Sequence, residues 1–185
     1  MNLMQRRRTL MMAKKESGSI WLYNNGETSD VVGDWNTTGY KYGTIFSQSN
    51  GSTALSIYAT SKYNIHGGRT FTSNNVLPSA YVGKTLHVKG YFRMNGDLKG
   101  GRSSYVYAFI SDSVQDVSDV ENIVASGAFT GEIHAYSPAG NDLEPGATVD
   151  FEMILPLTKT GYLSLAFYKG YNGLLYSYIK EVWVE

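Results

Sequence analysis

Four side chains able to hold a polar ligand recur at every second position of one stretch, Thr85–Met94: His87, Lys89, Tyr91 and Arg93. Leu86, Val88, Phe92 and Met94 hold alternate positions, the period-two pattern of a strand with one buried and one outward side. An imidazole, an ammonium, a phenol and a guanidinium in one outward row combine an aromatic ring with hydrogen-bond donors. That combination suits sugars, whose apolar C–H faces stack on rings while polar groups take the hydroxyls. A second stretch, Ser104–Ser111, alternates Tyr105 and Tyr107 with Val106, Ala108 and Ile110. If the apolar sides of both stretches form the core, the other side presents the first row beside Tyr105 and Tyr107. Trp35, set near Gly33, Asn36 and Gly39, is a further ring for the same task, with Tyr40, Tyr42, Tyr168 and Tyr171 as second candidates. Phe151 and Phe167 read as core. The same rings could instead pack under a neighbouring loop or subunit.

Carboxylates suggest a different chemistry, because glycosidases flank the scissile bond with two of them. Glu132, Asp142, Glu144, Asp150 and Glu152 form the densest group, but they fall at turns and on the polar side of one strand. They read as solvated surface charge. No Ser-His-Asp order and no Gly-rich phosphate loop stands out. The chain has no Cys, so disulfides and thiolate metal sites are excluded. Its histidines, His66, His87 and His134, are too far apart for a local ligand pair. A protein that binds without catalysing, and without cofactor or metal, is the expectation.

The elements that position these residues are strands. With 15 Tyr, 7 Phe and 20 Gly in 185 residues, and 17% charged, the composition favours pleated half-buried surfaces joined by many turns. The clearest strands close the chain. Val149, Phe151, Met153 and Leu155 share one face of Thr148–Leu155, as Leu163, Leu165 and Phe167 do in Gly161–Tyr168, and Tyr176–Val184 ends the sequence. Earlier strands are expected at Ile20–Tyr23, Thr53–Thr60, Arg69–Thr72, Val124–Thr130 and Ile133–Tyr136, with a long loop of irregular short strands over Glu27–Gly51. Eight to ten strands and no long helix predict an all-β, jelly-roll β-sandwich over residues 19–185.

Residues 1–18 have a different character. Five basic residues against one acid leave residues 1–16 at net +4, while the remainder, with 11 basic and 15 acidic residues, carries −4. Leu3, Met4, Leu10 and Met11 can form a short apolar stripe opposite Arg6, Arg7, Arg8, Lys14 and Lys15, so a basic, Met-rich docking arm is expected, helical on a partner or disordered without one. The acidic remainder shows no interleaved basic surface, which argues against specific nucleic-acid binding. No segment reaches the roughly 18 apolar residues of a membrane-spanning helix, and the run after Arg8 is too short for a signal peptide.

Trp21 to Tyr23, the turn Asn25-Gly26-Glu27, Trp35, the small-residue strand Thr53–Thr60, Leu86–Met94 and the final pair Gly161–Glu185 follow one another in an order that resembles the galactose-binding-like jelly rolls of many carbohydrate-binding modules. That resemblance implies the sandwich and a sugar ligand. Many such modules hold a structural calcium with an acidic pair before the last valine. Lys180 takes the first of those places here and only Glu181 remains, against the several oxygens calcium needs. Met-Asn-Leu-Met-Gln-Arg-Arg-Arg and the Met- and Lys-containing stretch after it resemble the start of minor structural proteins of gut phages and prophages. The two resemblances imply a virion protein of tail, fibre or capsid, made in the bacterial cytoplasm without export. Its arm would hold other virion proteins, and its sandwich, as a homo-oligomer, would meet glycans. A purely structural virion protein and a free bacterial carbohydrate-binding module are the alternatives.

Overall fold

The computed structural model describes residues 18–38, 44–45, 55–59, 67–94, 104–113, 133–136, 148–169 and 175–185. In chain order the strands are β1 (Ile20–Asn24), β2 (Glu27–Thr28), β3 (Trp35–Thr38), β4 (Thr44–Ile45), β5 (Leu55–Ala59), β6 (Gly67–Val76), β7 (Thr85–Met94), β8 (Ser104–Ser111), β9 (Ile133–Tyr136), β10 (Thr148–Pro156), β11 (Tyr162–Lys169) and β12 (Leu175–Val184). They form two antiparallel sheets. The seven-stranded sheet runs β10-β7-β12-β1-β2, with β5 also on β12 and β4 on β5; the five-stranded sheet runs β3-β6-β11-β8-β9. Among the described residues the only helical element is a 3-10 turn at Ser79–Tyr81. This is the all-β jelly-roll sandwich that the alternation predicts.

The strands exceed the expected count because β2, β3 and β4 are short pieces within Glu27–Gly51. β6 is also longer than Arg69–Thr72, since its polar Ser73-Asn74-Asn75 ending hides the period. The docking arm, apart from Gly18, and the strand expected at Val124–Thr130 lie outside the described residues.

The core fills the space between the sheets. Leu86, Val88, Phe92, Met153, Leu155, Ile179, Val182 and Val184 come from one side, and Phe71, Val106, Ala108, Ile110, Leu163, Leu165 and Phe167 from the other. Each of the larger side chains contributes about 1.5–3 kcal/mol on burial. β10 pairs with β7 without a break from Thr148↔Arg93 to Pro156↔Thr85, which keeps the two alternations in phase.

β12 lies at the centre of its sheet and changes partner along one edge. Tyr176–Ile179 pair with β5, whereas Glu181–Val184 pair with β1. Its register against β7 shifts between Ile179 and Glu181, so Lys180 is a bulge residue at the change of partner. The tight turn between β1 and β2 holds the bulge from one side. Asn25 and Gly26 both adopt positive φ, 46° and 94°, as a two-residue hairpin requires, and the Asn25 N–H donates to the Lys180 carbonyl at 2.7 Å. Gly90 holds it from the other side. A Cβ on Gly90 would collide with the Tyr178 carbonyl and stand 2.6 Å from Phe151 Cζ, so only hydrogen fits. Tyr23, 2% exposed, plugs the same region; burial pushes its hydroxyl up to about 12, with backbone hydrogen bonds to Gly26 and Leu55 opposing, and the phenol stays neutral.

The five-stranded sheet is buried on both faces at its centre. Leu163 through Phe167 of β11 are each at most 1% exposed, and Val106 through Ser111 of β8 at most 7%. Facing away from the core, Thr72, Ser164 and Ser111 link their hydroxyls across three strands, at 3.1 Å and 3.3 Å.

Replacing Gly90 with alanine is expected to destabilise the protein by about 1–3 kcal/mol, as forced overpacking does. A denaturant titration reads this as a lower midpoint at unchanged slope. An unshifted midpoint would mean that the bulge at Lys180 is free to move aside.

Candidate functional site

His87, Lys89, Tyr91 and Arg93 all lie on the outer face of the seven-stranded sheet, because β7 alternates without interruption and Leu86, Val88 and Phe92 enter the core. Their roles there differ. His87 is only 8% exposed. Its ring stacks on Trp183 at 4.6 Å and 8°, and Trp183 in turn meets Trp21 at 5.8 Å. His87 Nδ1 lies 3.0 Å from Glu152 Oε1 in a hydrogen bond. Nε2 is also 3.0 Å from Glu185 Oε1, but not in hydrogen-bond geometry. His87 therefore ties β7 to β10 and to the end of the chain.

Lys89 sits 3.2 Å from Glu152 Oε2, with Nζ 4.9 Å above the Trp183 ring. Tyr91 stacks on Tyr178, its register partner on β12, at 4.5 Å and 16°. Lys180 Nζ stands 5.9 Å from the Tyr91 ring. Burial raises the Tyr91 phenol, Arg93 lowers it and Asp150 raises it, with a net rise that leaves a neutral hydroxyl able to donate and accept. Arg93 is exposed at the far end of the row.

Next to the tyrosine stack, a groove of about 440 Å³ crosses β10, β7 and β12. Lys89, Gly90, Asp150, Phe151, Glu152, Lys180 and Glu181 line it. Gly90, a core-facing position of β7, contributes backbone to its floor, and the bulge brings Lys180 and Glu181 to one wall in succession. Asp150 and Glu152 stand on β10, the edge strand, opposite Tyr91 and Lys89. Among the described residues no three His, Asp or Glu side chains gather as a metal-holding group.

The structure brings His87, Tyr91 and Arg93 together and separates them from Tyr105 and Tyr107. That corrects the expectation of one shared face. β8 belongs to the other sheet, and its Tyr107 points away from the core on the opposite side of the sandwich. Tyr107 is 6% exposed there, and Tyr105 pairs through its backbone with Tyr168 and Tyr136. Trp35 opens β3; its Nε1–H donates to Thr28 Oγ1 at 3.1 Å. Its ring meets Tyr23 and Phe71 edge-on at 6.3 Å and 6.4 Å, packed against the core. Tyr40, Tyr42, Tyr171 and the arm residues Leu3 to Met11 lie outside the described residues.

Tyr178, Lys180 and Glu181 were absent from the candidates read in the sequence. Their signal was present, since Ile179 and Val182 are apolar positions three apart in a period-two strand, which marks a bulge.

No family model and no curated protein sequence matches the chain. Among solved structures, it is similar to the K3 adhesin domain of Lys-gingipain from Porphyromonas gingivalis, with TM-score 0.49, 13% identity, and 90% of this chain and 98% of that one covered. It is similar to TmCBM27, a carbohydrate-binding module described for specific mannan recognition, with TM-score 0.46, 13% identity, and 91% and 95% covered. It is also similar to the enzymatically active domain of bacteriophage CBA120 tailspike protein 4, with TM-score 0.44 and 11% identity. That match covers 89% of this chain but 21% of the tailspike chain, so this chain spans about a fifth of that length.

The His87–Glu152–Lys89 cluster has a pH signature. Burial raises the Glu152 carboxyl, but hydrogen bonds from His87 and Lys89, with their charges, outweigh it and hold the group below its ordinary 4.5. A carboxylate with a lower value folded than unfolded contributes stability that is present above the unfolded value and lost as pH falls through the folded one. Melting temperatures between neutral pH and about pH 3 are therefore expected to fall less steeply below 4.5 in Glu152→Gln than in the parent protein. Equal slopes would remove Glu152 from the acid limb.

Proposed function

We propose that the chain is a non-catalytic glycan-binding β-sandwich whose site is the outer face of the seven-stranded sheet, at Tyr91, Tyr178 and the adjoining groove. The observation that carries this reading is the pairing of an aromatic stack with an open groove of alternating donors and acceptors. Sugars need both: rings for their C–H faces and polar groups for their hydroxyls. Arg93 and Lys180 lie on either side of Tyr91 as further donors, while His87, already packed on Trp183 and held by Glu152, braces the same face further along β7. Asp150 and Glu152 belong to this surface as acceptors rather than as an acid and nucleophile pair.

The biological setting we propose is a phage virion, with residues 1–16 as the anchor. Their net charge opposes that of the remainder, and their Leu and Met content suits an apolar protein surface. Glycans on a host surface, met by several copies at once, would then be bound through avidity rather than through one tight site.

A glycan-array screen of the full chain tests the binding role. Tyr91→Ala and Tyr178→Ala are each expected to weaken binding about tenfold, or roughly 1.4 kcal/mol, with the fold retained. Unchanged binding in both variants would move the site elsewhere, and silence across the array would leave a structural building block. Removing residues 1–16 is expected to abolish incorporation into particles while glycan binding persists; normal incorporation would sink the anchor.

A further inference from the structure

The register that forms the groove also limits the charge of what can enter it, given the glycan-binding reading on which this inference rests. Glu181, Lys89 and Glu152 stand abreast on β12, β7 and β10. Neighbouring strands are about 4.8 Å apart, so the row offers an acceptor, a donor and an acceptor in sequence. His87 and Lys89 hold Glu152 ionised. One level along, Asp150 stands abreast of Tyr91, with Lys180 on the opposite wall.

A sugar carboxylate or sulfate lodged here would meet three carboxylates against two lysines, one of them already paired with Glu152, and an ammonium would have to share those carboxylates with the two lysines already among them, each at the cost of stripping water from like charges. A hydroxyl both donates and accepts, so neighbouring hydroxyls can bridge Lys89 to the acid on either side. We infer that the groove takes an uncharged glycan through adjacent hydroxyls, with Lys89 donating between Glu152 and Glu181 as the residue that sets this preference.

The test is calorimetric titration of the full chain with neutral hexose oligosaccharides and with their uronic-acid and amino-sugar counterparts, at low and high salt. The expected result is tighter binding of the neutral series, with affinity changing by no more than about twofold across the salt range. Lys89→Met should lose about tenfold in that affinity, as the loss of a charged hydrogen bond predicts. Glu181→Gln, half-buried and outside the His87 cluster, should lose several-fold even where Lys89→Met disturbs packing. Tighter binding of a charged series with steep salt dependence would overturn the inference and leave glycan binding standing. Failure of every series to bind would overturn the glycan reading itself.

Discussion

The bulge at Lys180 is the constraint from which the arrangement of the outer face follows. A strand with strict period two cannot send both Ile179 and Val182 into the core, yet both are fully buried. One extra residue reconciles them, and it falls where β12 leaves β5 for β1. Three backbone features hold it there: the Asn25 N–H on the Lys180 carbonyl, the left-handed Asn25-Gly26 turn that delivers it, and the bare Cα of Gly90 beneath the Tyr178 carbonyl. The same extra residue carries Lys180 and Glu181 to one wall of the groove. Core packing and the groove are consequences of a single irregularity.

The two outer faces of the sandwich have different fates. On the five-stranded sheet, Thr72, Ser164 and Ser111 satisfy one another's hydroxyls, and Ala166, Phe109 and Tyr107 are buried beside them. Buried polar atoms must find partners, and small hydroxyl side chains do so with little volume. On the seven-stranded sheet the outward residues around the groove, Lys89, Asp150, Glu152, Lys180 and Glu181, are charged, and Asp150 and Glu152 on β10, at the end of the described strand order, discourage edge-to-edge pairing. The open face is thus the one on which charge, ring and groove coincide.

Most of the architecture was legible in the alternation. β7, β8, β10, β11 and β12 fall within a residue or two of their expected bounds because each buries a face, and burial is what period two records. β6 was cut short because Ser73, Asn74 and Asn75 serve its hydrogen bonds rather than the core, and β2, β3 and β4 are too short to show a period. Which strands share a sheet was not legible, because period two says which residues face together within a strand and nothing about its neighbours. Hence the outward direction of Tyr91 could be read and the opposite placement of Tyr107 could not. The double burial of β8 did leave a trace, since Tyr105-Val106-Tyr107-Ala108-Phe109-Ile110 is apolar at every position, the mark of a strand covered on both sides.

Residue type alone did not separate the side chains proposed to bind from structural ones. His87 and Tyr91 lie four residues apart on the same face, and both stack on an aromatic partner from β12. Partnering distinguishes them. His87 has carboxylates at both ring nitrogens and Trp183 beneath it, so a ligand would have to displace contacts already made. Tyr91 has its ring supported by Tyr178, its phenol neutral, and a groove alongside whose floor is bare backbone at Gly90. A stacked pair whose geometry is set by the sheet loses little freedom on binding, and that preorganisation, rather than the number of aromatic residues in the chain, is what makes a tyrosine useful to a sugar.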